Sequence, residues 1–531
     1  MNNLNFLVDV LKESPVFKTL EKNVKPGRTV CASGLSTINK SNIIYALCRL
    51  KGVTAFCLAS DEKEAQTLCN DLSCMGLRAY VYPVRDFNFL DFQSRSHEYE
   101  HARLKVLLKL LNHECDVAIA CVDAAAQLTV PRNVLEQSVI EFEEGKELSL
   151  EKATKALTLL GYERFDAVEG SGQFSLRGGI LDFFMPDSDY PVRCEFWGDE
   201  ITDLSYFDIE TQRRFKKADK ITLSPSTEIV IEDRAALADK IEHKAKLLRS
   251  KNSAKAKEKL FSEAELIRSG AMIANADKFI NQIYDKPESL FDYLDRNTLV
   301  FASEFTAIQE RGKSMDFISN ETLMQGFEDG TLCRGFDRFA LTFNECTEFL
   351  QSHGTIVLEN FVHGSMPIKL SEIISFSTKQ ISAWGGSYKQ LKEDVDGLFT
   401  PESKGVIFAG TERAAKNLCD TFNADGINAV YSEGADKISK GELLVMQGAL
   451  SAGFEYPSQK FFAITYSQVS YRPEKSKKKK KKTGQEIYSL SELAPGDYVV
   501  HNVHGIGVFG GIRKIDTHGV IKDYIKIDYA K

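Results

Sequence analysis

Two groups of residues have types and spacing that suit chemistry. The first is Gly34-Leu-Ser-Thr-Ile-Asn39-Lys40-Ser41, the pattern G-x-x-x-x-G-K-S with asparagine in place of the second glycine. In such a loop the glycines let backbone N–H groups close around phosphates at the start of a helix. The lysine neutralises the outer phosphates and the hydroxyl takes the magnesium. Asparagine tolerates positive φ, so Asn39 leaves the loop shape accessible. Hydrolysis also needs a carboxylate after a hydrophobic strand to hold the metal. Cys121-Val122-Asp123 offers no Asp-Glu pair, and after Leu299-Val300-Phe301-Ala302 the metal-holding position is Ser303, followed by Glu304. The expectation is a degenerate phosphate loop with no catalytic residue, residual nucleotide binding at Lys40 staying open.

The second group lies between Gly161 and Arg214, GYERFDAVEGSGQFSLRGGILDFFMPDSDYPVRCEFWGDEITDLSYFDIETQRR. Phe174 and Leu176 flank Ser175, ILDFF (180–184) is a buried-type run, and Val192, Cys194 and Phe196 alternate with Arg193, Glu195 and Trp197. This pattern predicts a meander of short strands with one buried face. Period-2 alternation puts Arg177, Arg193 and Trp197 on the other face, two cations and an aromatic of the types enriched at protein–protein hot spots. The plainer reading, a half-buried sheet with ordinary surface arginines, stays open on spacing alone.

The elements that must position these residues follow from the rest of the chain. Strand and helix signals alternate over residues 1–125: TVCA (29–32), a helix from Lys40 to Leu50, VTAFCLA (53–59), a helix that Asp61 caps, AYVYP (79–83), a helix from His97 to Leu111, and DVAIACV (116–122). This alternation predicts a parallel sheet with helices on both faces. TLVFAS (298–303) is a further buried-type strand; if it rejoins that sheet, the meander is an insertion. A helix from Ser149 to Leu160 precedes the meander, two short strands over 221–231 follow it, and a charged helical region runs from Asp233 to about Ser269. Residues 338–353 read as a junction and 354–470 as a second small α/β unit, with GTIVLEN (354–360) as its first strand. Lys477–Lys482 is an uninterrupted lysine run, a solvated linker. The last segment has strands at Tyr498–His501, Ile506–Ile515 and Ile521–Tyr529, bent by Gly505, Gly507, Gly510 and Gly511 as in a small barrel-like sheet. The boundaries are 1–130 and 217–345 for the helicase-like sheet module, 131–216 for the insertion, 354–470, 471–486 for the linker, and 487–531.

Composition narrows the class. A chain of 531 residues is too long for one core. Its net charge of −8 argues against a protein whose main business is gripping a phosphate backbone. No stretch reaches the roughly 18 apolar residues of a spanning helix, so no membrane role is expected. The scattered cysteines suit reduced thiols in the cytoplasm. Cys69 and Cys74 have no second pair nearby, and His353, His363, His501 and His504 lack further ligands, so no metal site is expected.

The run GYERFDAVEGSGQFSLRGGILDFF, continued by PVRCEFWGDEI and FDIETQRR, resembles the UvrB-homology module of bacterial transcription-repair coupling factors, and more distantly the excision-repair protein UvrB. VVHNVHGIGVFGGI resembles the RNA-polymerase-interacting domain of the same factors. The resemblance implies an α/β multidomain fold: a degenerate helicase-like parallel-sheet module with an inserted small β-rich domain, a second non-catalytic α/β domain acting as a spacer, and a C-terminal Tudor-like β-barrel. It implies docking of UvrA at Arg177, Arg193 and Trp197, with Trp197 where the family pattern has phenylalanine. It further implies binding of the RNA polymerase β subunit through Ile515, with Ile512 and Val508 on a strand edge open to β-augmentation. In the family, ATP, magnesium and DNA belong to a translocase, and a further C-terminal domain masks the UvrA site; this chain, ending at Lys531 within the polymerase-binding domain, is expected to lack both and to hold no cofactor. Two rival readings are an active UvrB-like ATP-dependent DNA helicase, which needs an intact phosphate loop, and a transcription regulator sharing only the polymerase module, which leaves residues 161–214 unexplained.

Overall fold

Short strands of almost wholly apolar residues, each followed by a helix, build a sheet buried on both faces. In the computed structural model it has seven parallel strands in the order Glu372–Ser375, Val30–Ser33, Thr355–Leu358, Leu299–Ser303, Ala55–Ala59, Val117–Cys121 and Ala79–Tyr82. The structure describes residues 4–85, 97–248, 253–270, 276–330, 332–362, 366–382, 388–466, 496–501, 505–517 and 520–529. These divide into two compact units, of which the C-terminal sheet is the second. The helices Thr37–Lys51, Glu62–Cys74 and Glu98–Leu111 connect consecutive strands of the large sheet. Asp61 caps the second of them, accepting from the Glu64 N–H at 2.7 Å.

Leu299–Ser303 rejoins this sheet between Ala55–Ala59 and Thr355–Leu358, so the meander is an insertion. The expected junction at 338–353 is corrected. Thr355–Leu358 and Glu372–Ser375 belong to the first sheet, and the second begins only at Lys379–Ile381. An apolar run bounded by glycine reads alike in either sheet, and non-local parallel pairing leaves no trace in periodicity.

The insertion is closed by an antiparallel pair, Ile140–Glu143 with Lys220–Leu223, so it starts and ends later in the chain than the expected 131–216. Only one of the two strands expected over 221–231 forms. Between the pair lie the helix Leu150–Leu159, capped by Ser149, and a six-stranded sheet ordered Arg214–Lys217, Glu200–Phe207, Val192–Trp197, Ile180–Phe183, Gln173–Arg177, Glu163–Arg164. One face of it, with Phe174, Leu181, Phe183, Val192, Cys194, Ile201 and Leu204, packs with Phe142 and Leu157. A buried polar knot ties the exit strap to the large sheet. The Glu228 carboxylate accepts from Arg103 Nε at 2.6 Å and from the Thr129 hydroxyl at 2.8 Å. Arg103 Nη1 donates to Gln127 at 2.8 Å, and its guanidinium lies over the Tyr82 ring at 4.2 Å.

The second six-stranded sheet runs Lys379–Ile381, Gly453–Tyr456, Phe461–Thr465, Lys404–Phe408, Glu442–Met446, Ala429–Ser432. It is no loosely tethered spacer: Val406, Phe408, Met446, Phe454 and Phe461 share one apolar cluster with Leu4, Phe6, Ile43 and Leu47 of the first module. In the C-terminal unit Tyr498–His501, Gly505–Thr517 and Val520–Tyr529 form an antiparallel sheet with a register shift between Phe509 and Ile512, beside Gly511 at φ 89°. The lysine run, His363 and His504 lie outside the described residues.

Candidate docking face and phosphate-loop pocket

The phosphate loop is folded but its groups are engaged elsewhere. Gly34 has φ +79°, and a Cβ there would run into the Phe376 carbonyl oxygen. The N–H groups of Gly34 and Leu35 donate to the carbonyls of Asn360 and Glu359, each at 3.1 Å. Asn39 takes the Ser36 hydroxyl on its side-chain oxygen at 2.7 Å. The Ser41 hydroxyl lies 3.3 Å from the Asp71 carboxylate. Lys40, 2% exposed at its side chain, donates to Glu304 at 2.6 Å, to the Ser303 hydroxyl at 2.9 Å and to Glu64 at 3.3 Å. Ser303, at the position where a phosphate-loop enzyme needs a metal-holding carboxylate, donates onward to Glu64 at 2.6 Å. Asp123, the other position considered, is held by Arg311 Nε and Nη2 at 2.9 and 2.7 Å.

Carboxyl groups crowd this pocket. Burial alone would push Glu64 up, but the Lys40 ammonium and the Ser303 and Ser60 groups hold it below its ordinary value. Burial pushes Glu359 well above the usual carboxylate range, the neighbouring Glu304 carboxylate adding to it against the Phe305 N–H. Burial together with these two carboxylates raises the Cys31 thiol to about 12. Glu304 adopts a left-handed φ of 56°, rare for a residue with a side chain, at the position just before the helix Phe305–Asp329, whose first N–H donates to Glu359 instead. The arrangement is an internal ion-pair cluster around the lysine of the loop. His353 is structural: its Nε2 donates to the Thr298 carbonyl at 2.9 Å and its ring stacks on Phe349.

On the insertion, two-residue connections Gly178-Gly179 and Gly198-Asp199 join Arg177 to Ile180 and Trp197 to Glu200, with Gly178 and Gly198 at positive φ. Arg177, Arg193 and Trp197 lie on the face away from the core, as alternation predicts. Their exposures differ: Trp197 is 82% exposed, the Arg177 side chain 51% and that of Arg193 only 13%. Arg193 is therefore not the freely presented cation expected from alternation. Its partner Asp182, 1% exposed, was read only as part of an apolar run. Asp182 alternates outward between Leu181 and Phe183, and a carboxylate buried there needs a cation; that was the available signal. Around this centre, Arg214 pairs with Glu195 and with Asp203.

In the C-terminal sheet Val508 is paired on both sides, with Tyr498 and with Asp528, so the open edge expected at Val508 is closed. Ile512 and Ile515 pair with Ile525 and Lys522 on one side only among the described residues.

The inserted sheet with its presented face is similar to the UvrB interaction domain: that family's model matches residues 140–229, which include the closing strand pair. A second model, the CarD-like/TRCF RID domain, matches residues 493–531. Similarity also runs along the whole chain. A transcription-repair-coupling factor of Bacillus subtilis is 28% identical over 535 residues, covering 98% of this chain and 45% of that protein. One of Staphylococcus haemolyticus is 26% identical, covering 85% and 39%; one of Staphylococcus aureus is 23% identical, covering 99% and 46%. The chain is thus homologous to the N-terminal part of transcription-repair-coupling factors and spans less than half their length. Among the described residues no helix is long and apolar enough to cross a membrane.

Proposed function

We propose that this chain is a non-catalytic scaffold of transcription-coupled nucleotide-excision repair, acting in the cytoplasm to bring UvrA to stalled RNA polymerase. UvrA docks on the insertion face bearing Arg177 and Trp197, and the polymerase β subunit docks on the C-terminal sheet, a Tudor-like module, around Ile512 and Ile515. The helicase-like module is a retired motor serving as mount; it binds neither ATP nor magnesium, and movement on DNA belongs to a translocase such as the relatives' remaining length would hold. The observation that carries this reading is the exposed Trp197 on the same sheet face as a half-exposed arginine, in a segment that matches the UvrB interaction domain and a chain that also matches the CarD-like/TRCF RID domain. The rival, an active UvrB-like helicase, is opposed by the engagement of Lys40 with Glu304 and Glu64.

A pull-down with purified UvrA tests the reading. The Arg177→Glu/Trp197→Ala variant is expected to lose binding, since truncating a desolvated charge partner costs about 2–5 kcal/mol and an aromatic anchor about 2 kcal/mol or more. Undiminished capture by the double variant would defeat it. A DNA-stimulated ATPase assay on the wild-type chain, expected to give no turnover, separates the scaffold from the helicase.

A further inference from the structure

We infer that Asp182 is a positioning residue of the docking face: it holds Arg177 ready for a carboxylate on the partner, and Arg193 acts through Asp182 rather than by gripping the partner itself. The inference rests on the docking reading above and assigns different work to the two arginines.

The argument begins with register. Asp182 stands directly opposite Arg193 across the strand pair and diagonal to Arg177, which faces Ile180. Both distances are within reach of long side chains. Asp182 Oδ1 accepts from Arg193 Nε at 2.7 Å; Oδ2 accepts from Arg193 Nη2 at 2.8 Å and from Arg177 Nη2 at 2.7 Å. A carboxylate so enclosed bridges two cations and fixes both.

The donor inventories of the two arginines then separate their roles. A guanidinium has five N–H groups. Arg193 directs four inward: two to Asp182, one from Nη1 to the Gln212 carbonyl and one from Nη2 to the Gln212 side-chain oxygen, both at 3.1 Å. Its plane covers the Phe207 ring at 4.4 Å. Hydrogen bonding to Asp182, with the carboxylate's charge, raises the already high pKa of Arg193 further. Gln212 itself is locked at φ 58°, its N–H on the Asp208 carbonyl at 2.7 Å and its side-chain amide on the Ile209 carbonyl at 2.9 Å. Arg193 thus welds the hairpin loop before Arg214 to Asp182 and has little left to offer a partner.

Arg177 commits one N–H of five to Asp182, and its side chain is half exposed. Four donors remain, in the fork geometry that takes a carboxylate bidentately. Holding that fork in one orientation before encounter removes part of the ordering cost of binding. The matching partner surface carries a carboxylate for Arg177 beside an apolar pocket for Trp197.

The test uses the full chain labelled with [15N]arginine and purified UvrA. In the free chain, Asp182→Asn is expected to release Arg177, taking its Nε–H order parameter from the rigid range to below about 0.6, with far-UV circular dichroism unchanged. In UvrA binding, Arg177→Ala is expected to cost about 30-fold or more in Kd and Asp182→Asn roughly tenfold, with the double variant no weaker than Arg177→Ala alone. A residue acting only through general folding would instead give additive losses. Arg193→Lys keeps a cation beside Asp182 without the bidentate grip, and its binding loss is expected to follow the order of Arg177; a tenfold loss with Arg177 still ordered would mean that Arg193 grips the partner directly. An Arg177 that stays equally ordered without Asp182, or additive losses, overturns the inference. A wild-type chain that does not bind UvrA sinks the docking reading instead, while the arginine order parameters still decide the role of Asp182.

Discussion

Replacing Lys40 by alanine distinguishes a working phosphate loop from an internal ion-pair cluster. In a nucleotide site the lysine serves the ligand, so its loss removes binding and leaves the fold largely intact. Here Nζ lies 2.6 Å from Glu304 and 3.3 Å from Glu64. At an effective dielectric of about 20 these contacts are worth ~6 and ~5 kcal/mol of gross attraction. Desolvation of the buried ions, several kcal/mol each, offsets most of it, and breaking such a cluster by removing one partner typically costs about 3–5 kcal/mol. Lys40→Ala leaves Glu64, Glu304 and Glu359 facing one another without their cation. The expected loss is about 4 kcal/mol, roughly a 10 °C fall in the melting temperature of the module at about 2–4 °C per kcal/mol. Adding Glu64→Gln and Glu304→Gln should recover most of it by removing the uncompensated charges. Melting followed by circular dichroism, beside isothermal titration with ATP and magnesium, reads both quantities. If Lys40→Ala melts like wild type, and wild type shows saturable ATP binding that the variant lacks, the ion-pair account is refuted and a live nucleotide site stands in its place.

The clasp between the two α/β sheets makes a pH prediction. Burial pushes Asp71 from an ordinary 3.8 up to about 6, against the Ser451 N–H and the Ser451 and Ser41 hydroxyls that favour the anion. A carboxyl raised on folding contributes stability in full below its unfolded pKa and loses it as pH rises through the folded one. This group should therefore subtract about 2 kcal/mol between pH 4 and pH 6. Urea midpoints of Asp71→Asn should fall less over that range than those of wild type; equal slopes would remove Asp71 from the account. At the polar knot, Glu228→Ala strands the buried Arg103 and should cost about 3–5 kcal/mol, with Glu228→Gln milder because the amide oxygen still accepts; thermal melts of the two variants check the order.

Much of this architecture was legible because it is local. Apolar runs of four or five residues between helices gave the parallel sheet, the cap at Asp61 gave a helix start, and strict alternation at Val192–Trp197 placed Arg193 and Trp197 on one face. The decay of the phosphate loop was readable from Asn39 and Ser303. What alternation could not convey is how much of each side chain reaches solvent. Arg193 and Trp197 share a face and a strand, yet one is enclosed by Asp182, Gln212 and Phe207 and the other stands clear. That difference depends on which residues lie in register on neighbouring strands, a non-local property. The same blindness placed Thr355–Leu358 in the wrong sheet and left Val508 on an edge that Tyr498 and Asp528 close.

The filling of the phosphate pocket bears on what the module can do mechanically. A motor needs a loop whose N–H groups wait for phosphate and a lysine that exchanges ligands as nucleotide comes and goes. In this chain the loop N–H groups of Gly34 and Leu35 are bonded to the strand-end carbonyls of Asn360 and Glu359, and Lys40 is bonded to side chains on two different connections of the sheet. A triphosphate entering here would have to displace Glu304 from Lys40 while bringing its own negative charge beside Glu64 and Glu359. Beyond the pocket, Asn42 of the helix Thr37–Lys51 donates to the Tyr456 hydroxyl at 2.9 Å, and Asp71 of the helix Glu62–Cys74 accepts from the Ser451 N–H at 2.7 Å, joining the two sheets. Each of these contacts exchanges a moving part for a fixed one. The insertion is tied to this body through the buried contacts of Glu228 with Arg103 and Thr129, and a docking face bearing Arg177 and Trp197, as proposed above, would gain from so fixed an anchor.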